Sequence, residues 1–243
     1  MKSLLSISTD AKTIKGQKYG YLTGVLYLAP FNISGFNTCP MASNGCKKAC
    51  LYTAGRGRFN NVQQSRINKT RFFFNDRAKF IELLDKDIQK LKNKAKKLNL
   101  IPVVRLNGTS DLMPVEYIDL IKKHSDINFY DYTKVLKRFK MDMLGNYSLT
   151  FSRSEENEAE AIEALKSGKN VAIVFEAINN ELPILWNGYP VINGDESDLR
   201  FLDAKNVVVG LKAKGSAKKD TSGFVVSKTD NNSIYLNNLK QTA

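Results

Sequence analysis

Apolar residues recur along this chain in two alternating rhythms. Short β-branched or aliphatic runs read as strands: Thr23 to Leu28, Ile101 to Leu106, Ile127 to Tyr130, Tyr147 to Phe151, Val171 to Phe175 and Val207 to Leu211. Between them the spacing becomes helical. Ile81, Leu84, Ile88, Leu91, Ala95 and Leu98 repeat at three and four, the stripe of an amphipathic helix, within helical material from Val62 to Leu98. Further helices are predicted at Pro114 to Lys123, with proline at the start, near Lys134 to Asp142, and at Glu155 to Lys166, stopped by Gly168. Pro183, Gly188, Pro190 and Gly194 mark a long loop before the sixth strand, with room for a short hairpin.

Strand–helix alternation with apolar strands argues a parallel sheet covered by helices. Six units, rather than eight, predict an α/β fold, either a partial (β/α)6 TIM-like barrel or an open doubly wound sheet. No repeat, linker or low-complexity block divides residues 1–243, so one domain is expected.

In βα folds the site lies beyond the carboxyl ends of the strands. Polar residues gather there in strand after strand. Arg105, Asn107, Ser110 and Asp111 follow the second, and Asp131, Tyr132 and Lys134 the third. Ser152, Ser154 and Glu155 follow the fourth, Glu176 the fifth, and Lys212 and Lys214 the sixth. Each has a local reading too: Asp111 as a cap for the helix near Pro114, and Ser152 with Glu155 as a capping box. Caps do not explain why Arg105, Lys134, Lys212 and Lys214 share one end. Lys134, Lys212 and Glu155 are therefore candidate catalytic groups. Arg105, Asn107, Ser110, Asp111, Tyr132, Ser152 and Lys214 are candidates for holding a ligand or cofactor.

The three cysteines, Cys39, Cys46 and Cys50, sit within twelve residues, and the chain has no others. An odd number cannot pair fully as disulfides. Three converging thiolates without a fourth suggest a [4Fe–4S] cluster with one open iron. Zinc is a second reading, although the only histidine, His124, lies far along the chain. Inert, packed thiols are a third. GRGR at Gly55 to Arg58 lacks the Lys-Ser/Thr of a phosphate loop and reads as a turn, with Arg56 and Arg58 able to face an anion.

Thirty-seven basic and 24 acidic residues leave a net charge of +13. That balance is compatible with nucleic acid or another polyanion as partner. Six lysines between Lys86 and Lys97 read instead as the solvated face of the amphipathic helix, and no helix-turn-helix, zinc-finger or aromatic RNA-binding signature accompanies them. No apolar run approaches membrane-spanning length, and MKSLLSIST is too polar for a signal peptide.

The stretch LAPFNISGFNTCPMASNGCKKACLYTAGRGRF resembles the cysteine region of the bacteriophage family called gene product 88. RLNGTSD (Arg105 to Asp111), YDYTK (Tyr130 to Lys134), TFSRSE (Thr150 to Glu155) and GLKAKG (Gly210 to Gly215) are similar to further blocks of it. The resemblance implies a phage protein in the cytoplasm of an infected cell, but the family name states no activity. More distantly, a three-cysteine loop after the first strand of a partial barrel is similar to the radical S-adenosylmethionine enzymes. Their spacing is Cys-x3-Cys-x2-Cys; here it is Cys-x6-Cys-x3-Cys. S-adenosylmethionine is thus a possible cofactor beside the cluster. The expectation is an iron–sulfur protein, either a redox or radical-type enzyme acting on a small anionic ligand with an electron donor, or a non-catalytic electron carrier or nucleic-acid-binding protein.

Overall fold

A computed structural model describes residues 3–7, 11–140 and 144–236. Ten strands form one sheet. In chain order the elements are β1 (Leu5–Ile7), α1 (Ala11–Gly16), β2 (Tyr21–Leu26), α2 (Asn44–Lys48), α3 (Asn60–Asn75), α4 (Arg77–Lys97), β3 (Ile101–Arg105), α5 (Val115–Lys123), β4 (Asn128–Thr133), β5 (Tyr147–Ser152), α6 (Glu158–Lys166), β6 (Val171–Phe175), β7 (Leu185–Trp186), β8 (Tyr189–Asn193), β9 (Val208–Lys212) and β10 (Ser233–Ile234). The strand order is β1-β2-β3-β4-β5-β6-β9-β8-β7-β10. From β2 to β8 every neighbouring pair is parallel, while β1, β7 and β10 join antiparallel.

The six predicted strands are all present, in the expected parallel arrangement. The sheet is open, however, with β1 and β10 at its edges, so the TIM-like barrel is corrected to an open α/β sheet. Two extra strands come from the hairpin β7–β8, whose turn Asn187-Gly188 has φ of 48° and 80°. Positive φ at both positions is what a tight hairpin turn requires, and glycine meets it without strain.

Strands β2 to β6 and then β9 are laid down progressively in one direction. Right-handed crossovers then place their connecting helices on one face. Side-chain parity agrees. Leu22, Leu26, Val104 and Phe129 pack with Phe80, Leu84, Ile88 and Leu91 of α4. Phe151, Val171, Ile173 and Val208 pack with Ala161, Ala164 and Leu165 of α6. The fully buried α4 side chains each contribute about 1.5–3 kcal/mol by leaving water. The single helical stretch expected from Val62 to Leu98 is instead two helices, broken at Asp76, whose carboxylate accepts from Lys79 N–H at 3.3 Å. The helix expected at Lys134 to Asp142 is a short 3₁₀ turn, Leu136–Lys140; residues 141–142 lie outside the described residues.

The opposite face carries Val103 and Tyr130, which pack against Leu199, with Tyr21 and Phe201 beside them. The segment leading from β8 to β9 thus crosses this face. Asp198 bolts it down, accepting from Arg105 (2.8 Å), Tyr130 (3.4 Å) and Tyr132 (3.3 Å). No helix among the described residues is long and apolar enough to cross a membrane.

Candidate functional site

The segment after β2 carries all three cysteines and lies beyond the carboxyl ends of the parallel strands. Thr38 fixes its start: the hydroxyl donates to Ala29 O at 2.6 Å, and Thr38 O accepts from Asp111 N–H at 2.8 Å. Ser43 then caps α2, its oxygen accepting from Cys46 N–H at 3.1 Å. The same hydroxyl donates to Glu155 Oε2 at 2.7 Å, while Gly45 N–H donates to Glu155 Oε1 at 2.6 Å. Gly45 leaves room for this pairing: a Cβ there would stand 2.1 Å from Ser222 Oγ and 2.7 Å from Glu155 Oε1, and those side chains would have to move. Glu155 therefore holds the cysteine helix rather than capping α6, which follows Asn157.

Two residues earlier, Arg153 grips a second segment. Its guanidinium donates to Gly223 O (2.5 Å) and Phe224 O (3.1 Å) and pairs with Glu158. Residues 213–225 are thereby pressed onto the cysteine helix. Ala49, Ala217 and Phe224 form a small core with Cys46, Val174, Ala213 and Val225, and Ser216 Oγ donates to Lys48 O at 2.9 Å.

The other predicted residues divide into separate networks. Asn107 donates through its backbone (2.7 Å) and amide (3.1 Å) to Asp131, which also accepts from Tyr147 at 3.0 Å. Ser110 donates to Asn107 Oδ1 at 2.9 Å. Burial of Asp131 pushes its carboxyl up to about 6, against the pull of Arg105 and these hydrogen bonds. Asp111 does not cap α5. It accepts from Lys134 N–H at 2.8 Å and pairs with Arg138 at 2.6 Å. Lys134 Nζ donates to Ser152 Oγ at 2.7 Å and lies 5.6 Å from the Phe224 ring. Arg105 stacks 4.7 Å from the Tyr132 ring and pairs with Asp198. Burial opposes its charge, and Asp198, with Tyr132, more than offsets this and keeps it protonated. Lys214 pairs with Asp195, and Lys212 donates to Asn180 at 3.0 Å. The four cations of the expected ring thus share a strand end, but each is engaged by a partner within the protein.

The iron–sulfur reading is overturned. Among the described residues no group of three or more Cys, His, Asp and Glu side chains is arranged to hold a metal ion. The thiols point to packing instead. Cys39 Sγ donates weakly to Thr109 O at 3.6 Å, and Cys46 sits in the alanine–phenylalanine core. Burial raises the Cys39 thiol and pushes Cys50 up to about 11, with smaller contributions from the neighbouring cysteines. The open-iron enzyme and the cluster-based electron carrier fall with the cluster, and the radical S-adenosylmethionine likeness gains no support from the open sheet.

Sequence reasoning missed the structural partners Asp198, Arg153 and Arg138. It also missed the surface the two packed segments create. Lys47, Lys48, Arg56, Arg58, Lys218 and Lys219 are all exposed, and none has an ion-pair partner among the described residues. Residues 44–58 contain no acidic side chain. Asp220, between Lys219 and Thr221, is engaged by Ser222 Oγ (2.6 Å) and Val225 N–H (3.0 Å). The signal was present in CKKAC, GRGR and GSAKK, but nothing local says that they meet.

The chain is thus an α/β protein with an open, mainly parallel sheet. The family model described as Gene product 88 matches residues 3–228. The chain belongs to that family, the bacteriophage family its sequence blocks resemble. No curated protein and no solved structure matches it significantly.

Proposed function

We propose that the protein binds nucleic acid through its phosphate backbone, using the basic face built from residues 44–58 and 215–222. The observation that carries this reading is that two segments far apart in sequence pack together and expose six cations with no ion-pair partner among the described residues. Most of the other cations at this end of the sheet are neutralised by carboxylates or held by hydrogen bonds; these are not. Met41, Leu51 and Phe59 are 57%, 59% and 51% exposed along the same segment, and the Arg58 guanidinium lies 5.7 Å from the Phe59 ring. Cations interleaved with an exposed aromatic ring suit a backbone-tracking, sequence-tolerant contact with stacked bases.

Fluorescence anisotropy on single- and double-stranded oligonucleotides over a salt series tests this. Six engaged cations give a slope of log K against log salt of up to about −4 on single strands and about −5 on duplex. Arg56→Ala with Arg58→Ala should reduce its magnitude by roughly 1.4–1.8. Replacing Lys94, Lys96 and Lys97, exposed on α4, should leave it unchanged. Salt-insensitive wild-type binding, or an equal loss from the α4 variant, would overturn the reading.

A further inference from the structure

Where the two segments join, a cavity of about 140 Å³ opens, lined by Lys48, Ala49, Ser216, Lys219, Asp220, Thr221 and Ser222. Its size argues first. Sites for drug-sized ligands span roughly 300–1,000 Å³, so neither a nucleotide nor a cofactor would fit inside. Its chemistry argues second. The Ser216 hydroxyl is committed to Lys48 O, and the Ser222 hydroxyl donates to Asp220. Lys48, Lys219 and Thr221 complete the lining with donors that no hydrogen bond or ion pair among the described residues engages. The nearby carboxylates are already occupied: Asp220 accepts from Ser222 and Val225, and Glu155, beside Ser222, accepts from Ser43 and Gly45. Ala49 and Ala217, buried behind the rim, make this part of the wall apolar and fixed.

We infer that this cavity seats a single phosphoryl group held between Lys48 and Lys219. A compact ammonium charge suits a tetrahedral oxyanion, and charge-assisted hydrogen bonds are the stronger class. A group of that size fits the cavity, so the proposed occupant is a strand's terminal phosphate, or free phosphate, rather than an internal phosphate with a nucleoside on either side. This inference rests on the nucleic-acid reading of the surrounding face and deepens it.

The test compares one oligonucleotide with and without a terminal phosphate, alongside binding of inorganic phosphate followed by phosphorus NMR. Lys48→Ala and Lys219→Ala are the informative variants, and Lys94→Ala, exposed on α4 away from this face, is the control; circular dichroism verifies folding of each. The expected result is at least fivefold tighter binding of the phosphorylated strand. That preference should vanish in Lys48→Ala and Lys219→Ala, persist in Lys94→Ala, and be cancelled by inorganic phosphate but not by chloride of equal ionic strength. If neither strand binds yet inorganic phosphate does, and Lys48→Ala removes it, the nucleic-acid reading fails while the seat stands for the free ion. Equal affinity of the two strands together with no phosphate binding overturns the inference.

Discussion

Glu155→Ala should release the cysteine helix without unfolding the sheet. The carboxylate makes two short hydrogen bonds, 2.6 Å to Gly45 N–H and 2.7 Å to the Ser43 hydroxyl. Bonds to a charged acceptor each stabilise by about 1.5–3 kcal/mol. Gly45 is buried, so its N–H loses its partner without gaining water. Ser43 keeps its contact with Cys46 N–H, which softens the loss. Together the change should favour local opening of α2 by about 3–4 kcal/mol, a factor on the order of 100–1,000 in the open population. Thiol reactivity reads this out directly. A chromogenic disulfide reagent at pH 8 should react slowly with wild-type Cys46 and Cys50 and at least a hundredfold faster in the variant. Glu155→Gln, which retains one acceptor oxygen, should fall near tenfold. Rates unchanged within twofold in a folded Glu155→Ala protein would refute the idea that this carboxylate latches the segment.

Two further outcomes are expected. The Asp131 carboxyl is raised from 3.8 to about 6 by burial, so between those pH values the folded protein holds a proton that the unfolded chain has released. Stability should therefore fall by about 2 kcal/mol as pH rises from 4 to 6. Asp131→Asn, less stable throughout because its single oxygen cannot accept all three hydrogen bonds from Asn107 and Tyr147, should remove that contribution; urea titrations at pH 4, 5 and 6 decide, and a pH slope identical to wild type would count against it. Arg105→Ala should destabilise folding by about 3–5 kcal/mol, because it strands the nearly buried Asp198 carboxylate. A midpoint shift below 1 kcal/mol in chemical denaturation would instead make Arg105 a ligand-binding group held ready for use.

The strands were legible because burial on both faces writes them as apolar runs; Val171 to Phe175 coincides with β6 at both ends. The added strands were harder. β1, β7 and β10 span two or three residues, too short to show a period. The break at Asp76 was invisible because apolar residues continue the helical spacing through it, and only the cap geometry exposes it. At the site, sequence indicated the right end of the sheet but not what each side chain does there. Arg105 finds Asp198 and Glu155 finds Ser43, partners 93 and 112 positions away. The cysteine cluster misled for the same reason: the Cys39 and Cys50 thiols do feel their cysteine neighbours, but the packing around Cys46 and the carbonyl facing Cys39 come from distant segments.

The junction between Lys48 and Ser216 spans 168 positions. A ribosome adding roughly 5–20 residues per second needs on the order of ten to thirty seconds to cross that interval. For most of that time the cysteine segment has left the tunnel while the strip that must cover it does not yet exist. Its lysines and arginines belong to a half-built surface, and the cavity has only one wall. Whatever this face engages can be engaged only after the last third of the chain has been made and Arg153 has closed on Gly223 and Phe224. Translation itself thus sets the moment at which the surface becomes available, and a nascent chain stalled before Ser216 would carry the charge without the seat.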